Sequence, residues 1–146
     1  MARFDHDFLG RAAVEKEVAN PKRTVATLRW NPEDVMDIYA SLLRPGEPYR
    51  PIDVPYSPHS WPAAHADHIA KLGRHVGISS GTIYSCYFRE VLSMACIDLD
   101  EAEIGNEVII HWGDFGGKIK EVRATVSRFP YLTDERNSEI DVSRQP

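Results

Sequence analysis

Four of the six histidines, His59, His65, His68 and His75, fall within 17 residues. Imidazole is the side chain best suited to proton transfer near neutral pH. It is also a frequent ligand of first-row metals. If 62–73 forms a short helix, His65 and His68 lie three apart on one face, and with His59 or Asp67 they could hold zinc or a similar ion. The reading without a metal comes first, with His59, His65 and His68 as the alternative ligand set. One of these three is then expected to act as a general base, against the plainer role of a partly exposed loop histidine.

A second set combines aromatic and polar groups: Tyr49, Arg50, Asp53, Tyr56, Trp61, Tyr84, Tyr87 and Arg89. Tyr49, Tyr56, Trp61 and Tyr84 could wall a flat slot for a small aromatic substrate. Arg50 or Arg89 would face an oxyanion and Tyr87 could donate a proton. The competing assignment makes Tyr84 and Trp61 core or core-edge aromatics and Arg89 a solvated turn residue. Strand alternation puts Tyr84 on one face with Thr82 and Cys86, and Tyr87 on the other. His111 and Trp112 are adjacent on one strand, so only one of them faces the core, and Trp112 is the structural candidate. Cys86 and Cys96 read as small buried hydrophobes, reduced and without the spacing of a disulfide framework or zinc site. Nucleophile-elbow, Walker and dinucleotide-binding signatures are absent, and Gly113, Gly116 and Gly117 read as a hairpin turn.

These residues must be carried by recognisable elements. Phe8, Leu9, Ala12, Ala13 and Val18 give a loose helical stripe with Asp7 as its cap, stopped at Asn20-Pro21. RTVATLRW, 23–30, alternates as a half-buried strand. Asn31-Pro32-Glu33-Asp34 starts a helix whose apolar face is Val35, Ile38, Tyr39, Leu42 and Leu43. Residues 44–67 hold six of the ten prolines together with aromatics and histidines, the composition of an ordered loop rather than a linker. Strands follow near 74–85, 90–98, 106–112 and 120–129, with turns at Phe88–Arg89, Asp100–Gly105 and Asp114–Gly117.

The length of 146 residues suits a single domain, here 1–131 with a polar tail over 132–146. Hydrophobic residues make up 42% and charged residues 27%, and the net charge is −5. That balance excludes general attraction to nucleic acid or an anionic membrane. No apolar run reaches the length of a membrane span and no signal-peptide core opens the chain, so a cytoplasmic protein is expected.

Taken in order, VGISSGTIYS, VLSMACIDLDEAEIGNEVIIHWG and VRATVSRFPY resemble the C-terminal β-barrel domain of the glycine-cleavage T-protein (aminomethyltransferase) superfamily. DFLGRAAVEKE is similar to the helix leading into that domain. RTVATLRWNPEDVMDIYASLLRPGEPYRPIDVP and HWGDFGG resemble the tetrahydrofolate-dependent O-demethylases of vanillate, syringate and related methoxyphenols. The resemblance runs from Asp5 to Tyr131. It implies an α+β chain, mainly β: an antiparallel Greek-key-like barrel preceded by two helices and the Pro-rich loop. In the family the folate site and the reacting residues lie mainly in large N-terminal domains, for which a chain of this length has no room.

The leading expectation is therefore a lyase without an organic cofactor. It would eliminate formaldehyde from a primary-alcohol side chain of a lignin-derived phenol, through a quinone methide, leaving a stilbene-type product. That chemistry needs a held phenolate, one base and a dry slot. The first alternative is the small subunit of a split demethylase, using tetrahydrofolate with a partner chain. The second is a non-catalytic binding or regulatory module. A barrel without its neighbouring domains exposes apolar surface, so a homodimer or larger homo-oligomer is expected.

Overall fold

A computed structural model describes residues 4–52 and 66–132. Six strands close into an antiparallel barrel: β1 (Arg23–Trp30), β2 (Asp67–Lys71), β3 (Arg74–Ser85), β4 (Glu90–Asp98), β5 (Glu107–Trp112) and β6 (Lys120–Ser127). Two helices, α1 (Arg11–Ala19) and α2 (Pro32–Ser41), flank it, and a 3-10 turn spans Leu99–Glu101. The order around the wall is β1-β4-β3-β2-β5-β6, with β6 returning to β1. Strands β2, β3 and β4 follow one another while β1 lies beside β4, which is a Greek-key connection.

Alternation explains which side chains fill the interior. On β1, Ala26, Leu28 and Trp30 are buried while Val25 and Arg29 are exposed. Ile69, Val76, Ile97, Val108 and Val122 complete the interior from the other strands, each almost wholly buried. Two tryptophans meet edge to face inside, Trp30 and Trp112, with centroids 5.1 Å apart. Their indole N–H groups need acceptors once buried. Trp30 Nε1 donates to Ser93 Oγ at 3.0 Å, which also accepts from the Ser79 hydroxyl at 2.8 Å. Trp112 Nε1 donates to the Arg50 carbonyl at 2.7 Å.

Helix α2 begins as its sequence dictates. Asn31 accepts from the N–H groups of Glu33 and Asp34, and Pro32 takes the first position. Val35 and Ile38 are buried and Tyr39 partly so, but Leu42 and Leu43 are exposed because the helix ends at Ser41. Helix α1 departs from expectation at its start. Gly10, at φ +89, precedes Arg11 as the cap, and Asp7 lies outside the helix. None of its residues is buried, and Leu9 and Val18 of the apolar stripe are exposed.

The helix expected over 62–73 is overturned: Asp67–Lys71 is strand β2, paired with both β3 and β5. Leu72 and Gly73, at φ +50 and +76, form a two-residue hairpin turn joining Lys71 to Arg74. Positive φ at both central positions gives the twist that matches paired strands. The leucine concealed this turn, because Asn-Gly or Asp-Gly is its usual signature.

Candidate functional site

A groove of about 890 Å³ opens between α2 and the hairpin joining β3 to β4. Its floor comes from the end of β1 and from β6: Arg29, Trp30, Ala124 and Thr125. Val35, Met36 and Tyr39 of α2 form one wall. Tyr84, Phe88, Arg89, Glu90 and Val91 form the other, and Glu107 stands at the start of β5. Several flat aromatic faces with a few polar groups suit a small planar ligand, and the volume is in the ordinary range for such sites.

The wall made by α2 is fixed through Asp34. Its carboxylate accepts from the Arg123 backbone N–H at 2.9 Å and from Arg123 Nε at 2.8 Å and Nη2 at 3.1 Å. Hydrogen bonds from the Arg123 side chain hold Asp34 below the usual carboxylate range, although burial opposes this. A turn further on, Lys120 reaches Asp37 at 2.9 Å, and that bond lowers the Asp37 carboxyl in turn. Two ion pairs thus pin consecutive turns of α2 to β6.

The opposite wall is held by Glu90. Tyr131 donates its hydroxyl to Glu90 Oε2 at 2.6 Å, and Arg29 approaches Oε1 at 3.7 Å. The bond to Glu90 raises the Tyr131 phenol above its ordinary value, so the tyrosine keeps its proton. Phe88 packs edge to face on Tyr131, 4.9 Å between centroids. Arg89, at the tip of the hairpin, takes φ +58 and is exposed. Its N–H donates to the Ser85 carbonyl at 2.7 Å, closing the turn. Of the groove's guanidiniums, Arg29 and Arg123 have carboxylate partners; Arg89 pairs with none among the described residues.

The residues singled out by sequence fall in three places. Tyr84 and Arg89 line the groove. Tyr87 is next to it, 78% exposed and turned onto Phe88 at 4.8 Å rather than into the groove. Tyr49 and Arg50 lie elsewhere, against the hairpin that joins β5 to β6. The Arg50 guanidinium stacks 3.5 Å above the Trp112 ring and bonds Asp67 at 3.2 Å and Asp114 at 3.0 Å. Tyr49 receives Lys118 over its ring at 4.3 Å. Arg50 thereby ties the incoming segment to the barrel, and its charge is already answered by two carboxylates. His68 is on the outer wall, stacked on His75 with 3.9 Å between ring centroids. Its pKa is lowered, first by desolvation and then by His75 and His111.

Asp53, Tyr56, His59, Trp61 and His65 lie outside the described residues. The metal set His59, His65 and His68 is therefore represented only by His68, and the shared helical face proposed for His65 and His68 disappears with the helix. No three His, Cys, Asp or Glu side chains are arranged to hold a metal ion among the described residues. The expected burial of both cysteines fails for Cys86: β3 ends at Ser85, leaving Cys86 exposed in the turn, while Cys96 is half-buried. Both are free thiols.

Trp30, Tyr39, Phe88 and Glu90 were not singled out in advance. Trp30 and Tyr39 are distant in sequence from Phe88 and Glu90, and the two pairs meet only when the barrel closes. The Asn31-Pro32-Glu33-Asp34 start was the signal that could have located one wall, since it fixes where α2 begins.

No protein-family model matches the chain. A sesamin methylene transferase of Sinomonas sp. is 39% identical over 155 aligned residues, covering 100% of this chain and 34% of the relative. A syringate O-demethylase of Sphingobium sp. is 30% identical over 154, covering 97% of this chain and 32% of the relative. The chain thus spans about a third of the length of these curated relatives. No helix among the described residues is long and apolar enough to cross a membrane.

Proposed function

We propose that this chain is the barrel unit of an enzyme that moves methyl or methylene groups from aromatic compounds to tetrahydrofolate. The observation that carries the reading is the end-to-end match, at 39% and 30% identity, to a sesamin methylene transferase and a syringate O-demethylase. Because the match takes in about a third of each relative, the remaining walls of the site belong to the part this chain does not span. The small subunit of a split demethylase is the form of this reading anticipated from sequence.

The groove suits such a partnership. Tetrahydrofolate joins a flat ring system to carboxylates, and the aryl substrate is flat as well. Tyr39, Tyr84 and Phe88 offer aromatic faces, and Arg89 offers a guanidinium to an anionic group. Bound tetrahydrofolate would supply the nitrogen that accepts the one-carbon unit. This chain's own part is to seat the flat ligand, keep water from one side of it and meet its negative charge. Arg123 and Glu90 hold the two walls and are positioning residues.

The test uses aryl methyl ethers and methylenedioxy compounds with tetrahydrofolate. The purified chain is assayed alone and together with a polypeptide covering the remaining length of the relatives. Turnover to the free phenol is expected only when both are present, and Arg89→Ala should reduce it about tenfold or more, the scale of one lost charge-assisted contact. Equal turnover with and without the chain would refute the proposal. Formaldehyde released by the chain alone, without folate, from a lignin-type phenolic alcohol would replace it with the lyase.

A further inference from the structure

We propose that the outer wall of the barrel binds a late first-row divalent cation, such as Zn²⁺ or Cu²⁺, through His68 of β2 and His111 of β5. This is separate from one-carbon transfer, since neither histidine lines the groove.

The two residues are Cα partners in the antiparallel β2–β5 ladder. Directly opposed residues project from the same face of a sheet. Here that face is the outer one: Ile69 and Ile110, their chain neighbours, are fully buried, whereas His68 is exposed and His111 half-buried. The two rings stand 6.0 Å apart at 65°. Two imidazoles sharing one ion at nitrogen–metal distances of about 2.0–2.1 Å have centroids roughly 5 Å apart. Side-chain rotation on the order of 1 Å therefore closes the chelate on an unchanged backbone.

The neighbours favour a cation. His75 pairs with Ala70, whose methyl group leaves space for the imidazole to cross and stack on His68 at 3.9 Å and 13°. In a near-parallel stack the ring lone pairs run side by side rather than converging on one ion. His75 is thus a positioning residue that holds the His68 ring. Glu121 is the Cα partner of His111 on β6, which continues the row with a carboxylate; carboxylates beside ligating histidines strengthen metal sites. The cations of the adjoining hairpin, Lys71 and Arg74, are each held by Glu101 at 2.8 Å. Imidazole nitrogens prefer late first-row ions, with affinity peaking at copper.

The chain, stripped of metal with a chelator, is titrated with ZnCl₂ in a calorimeter near neutral pH. Cu²⁺ loading is followed by electron paramagnetic resonance. One ion per chain and coupling to two imidazole nitrogens are expected. His68→Ala and His111→Ala should each weaken binding by at least about tenfold. His75→Phe, which keeps a stacking ring without nitrogen, should leave affinity unchanged, and His75→Ala should weaken it a few-fold. Loss in His75→Phe equal to that in His68→Ala would overturn the positioning role. Absence of saturable binding, absence of nitrogen coupling, or unchanged affinity in the folded His68→Ala/His111→Ala double variant would overturn the site.

Discussion

A single missing methyl group lets β3 lie against β4. A Cβ at Gly77 would run into the Cys96 carbonyl oxygen and stand 2.9 Å from Ile97 Cα. Both obstacles are backbone atoms and cannot swing aside. Gly77→Ala is expected to destabilise the fold by about 1–3 kcal/mol, read as a lower urea midpoint with an unchanged slope. An unchanged midpoint would mean that the ladder can shift at little cost. Arg50 shows the limit of reading single residues from sequence. Its type allowed an oxyanion role, and nothing local revealed that Asp67 and Asp114, 17 and 64 residues away, occupy its guanidinium. Trp112 was legible as structural, because alternation allows only one of His111 and Trp112 to face inward.

Among the elements, α2 is held by ion pairs that respond to acid. Asp34 has a folded-state pKa below its ordinary value. The unfolded chain therefore takes up its proton first as the pH falls. The stabilisation from Asp34 is complete above the ordinary carboxylate range and is lost as pH drops through the lowered folded value. Stability should thus show no pH dependence from this group between neutral pH and about pH 5, where its contribution is complete, then decline below about pH 4. Asp34→Asn should cost about 1–3 kcal/mol near neutrality and flatten that acid decline; an equally steep decline in the variant would assign it to other carboxylates. The element boundaries themselves were largely readable. Arg23–Trp30, Arg74–Ser85 and Glu90–Asp98 match the expected strands. Strand β2 was missed because five residues, Asp67–Lys71, are too few to display a period and the Leu72-Gly73 turn lacks the usual residue types. The groove was half legible: Tyr84 and Arg89 were named, but its α2 wall depends on Asp34 meeting Arg123, 89 residues later.

For the molecule as a whole, the outer faces of β1, β4 and β3 pose a question of cover. Val25, Cys96 and Ile78 stand in one register row, with Met94 in the next. Val25, Ile78 and Met94 are 45%, 39% and 46% exposed. Contiguous apolar surface of this kind marks contact sites. Light scattering of the chain alone is expected to give a multiple of 16.5 kDa, and Met94→Glu to return it to the single mass. A single mass for the unaltered chain at micromolar concentration would leave that surface without a self-partner.

The closure of β6 back onto β1 has a further consequence. Every strand of the barrel has a hydrogen-bonded neighbour on both sides, so among the described residues no strand lies open along its whole edge for another chain to extend. Recruitment by addition of a full-length strand, and the runaway templating that goes with it, is disfavoured at this wall. Association with it then falls mainly to side chains. Its contacts can therefore be redrawn by substitution while the backbone stays as it is, which makes the barrel a unit that evolution could refit to new company.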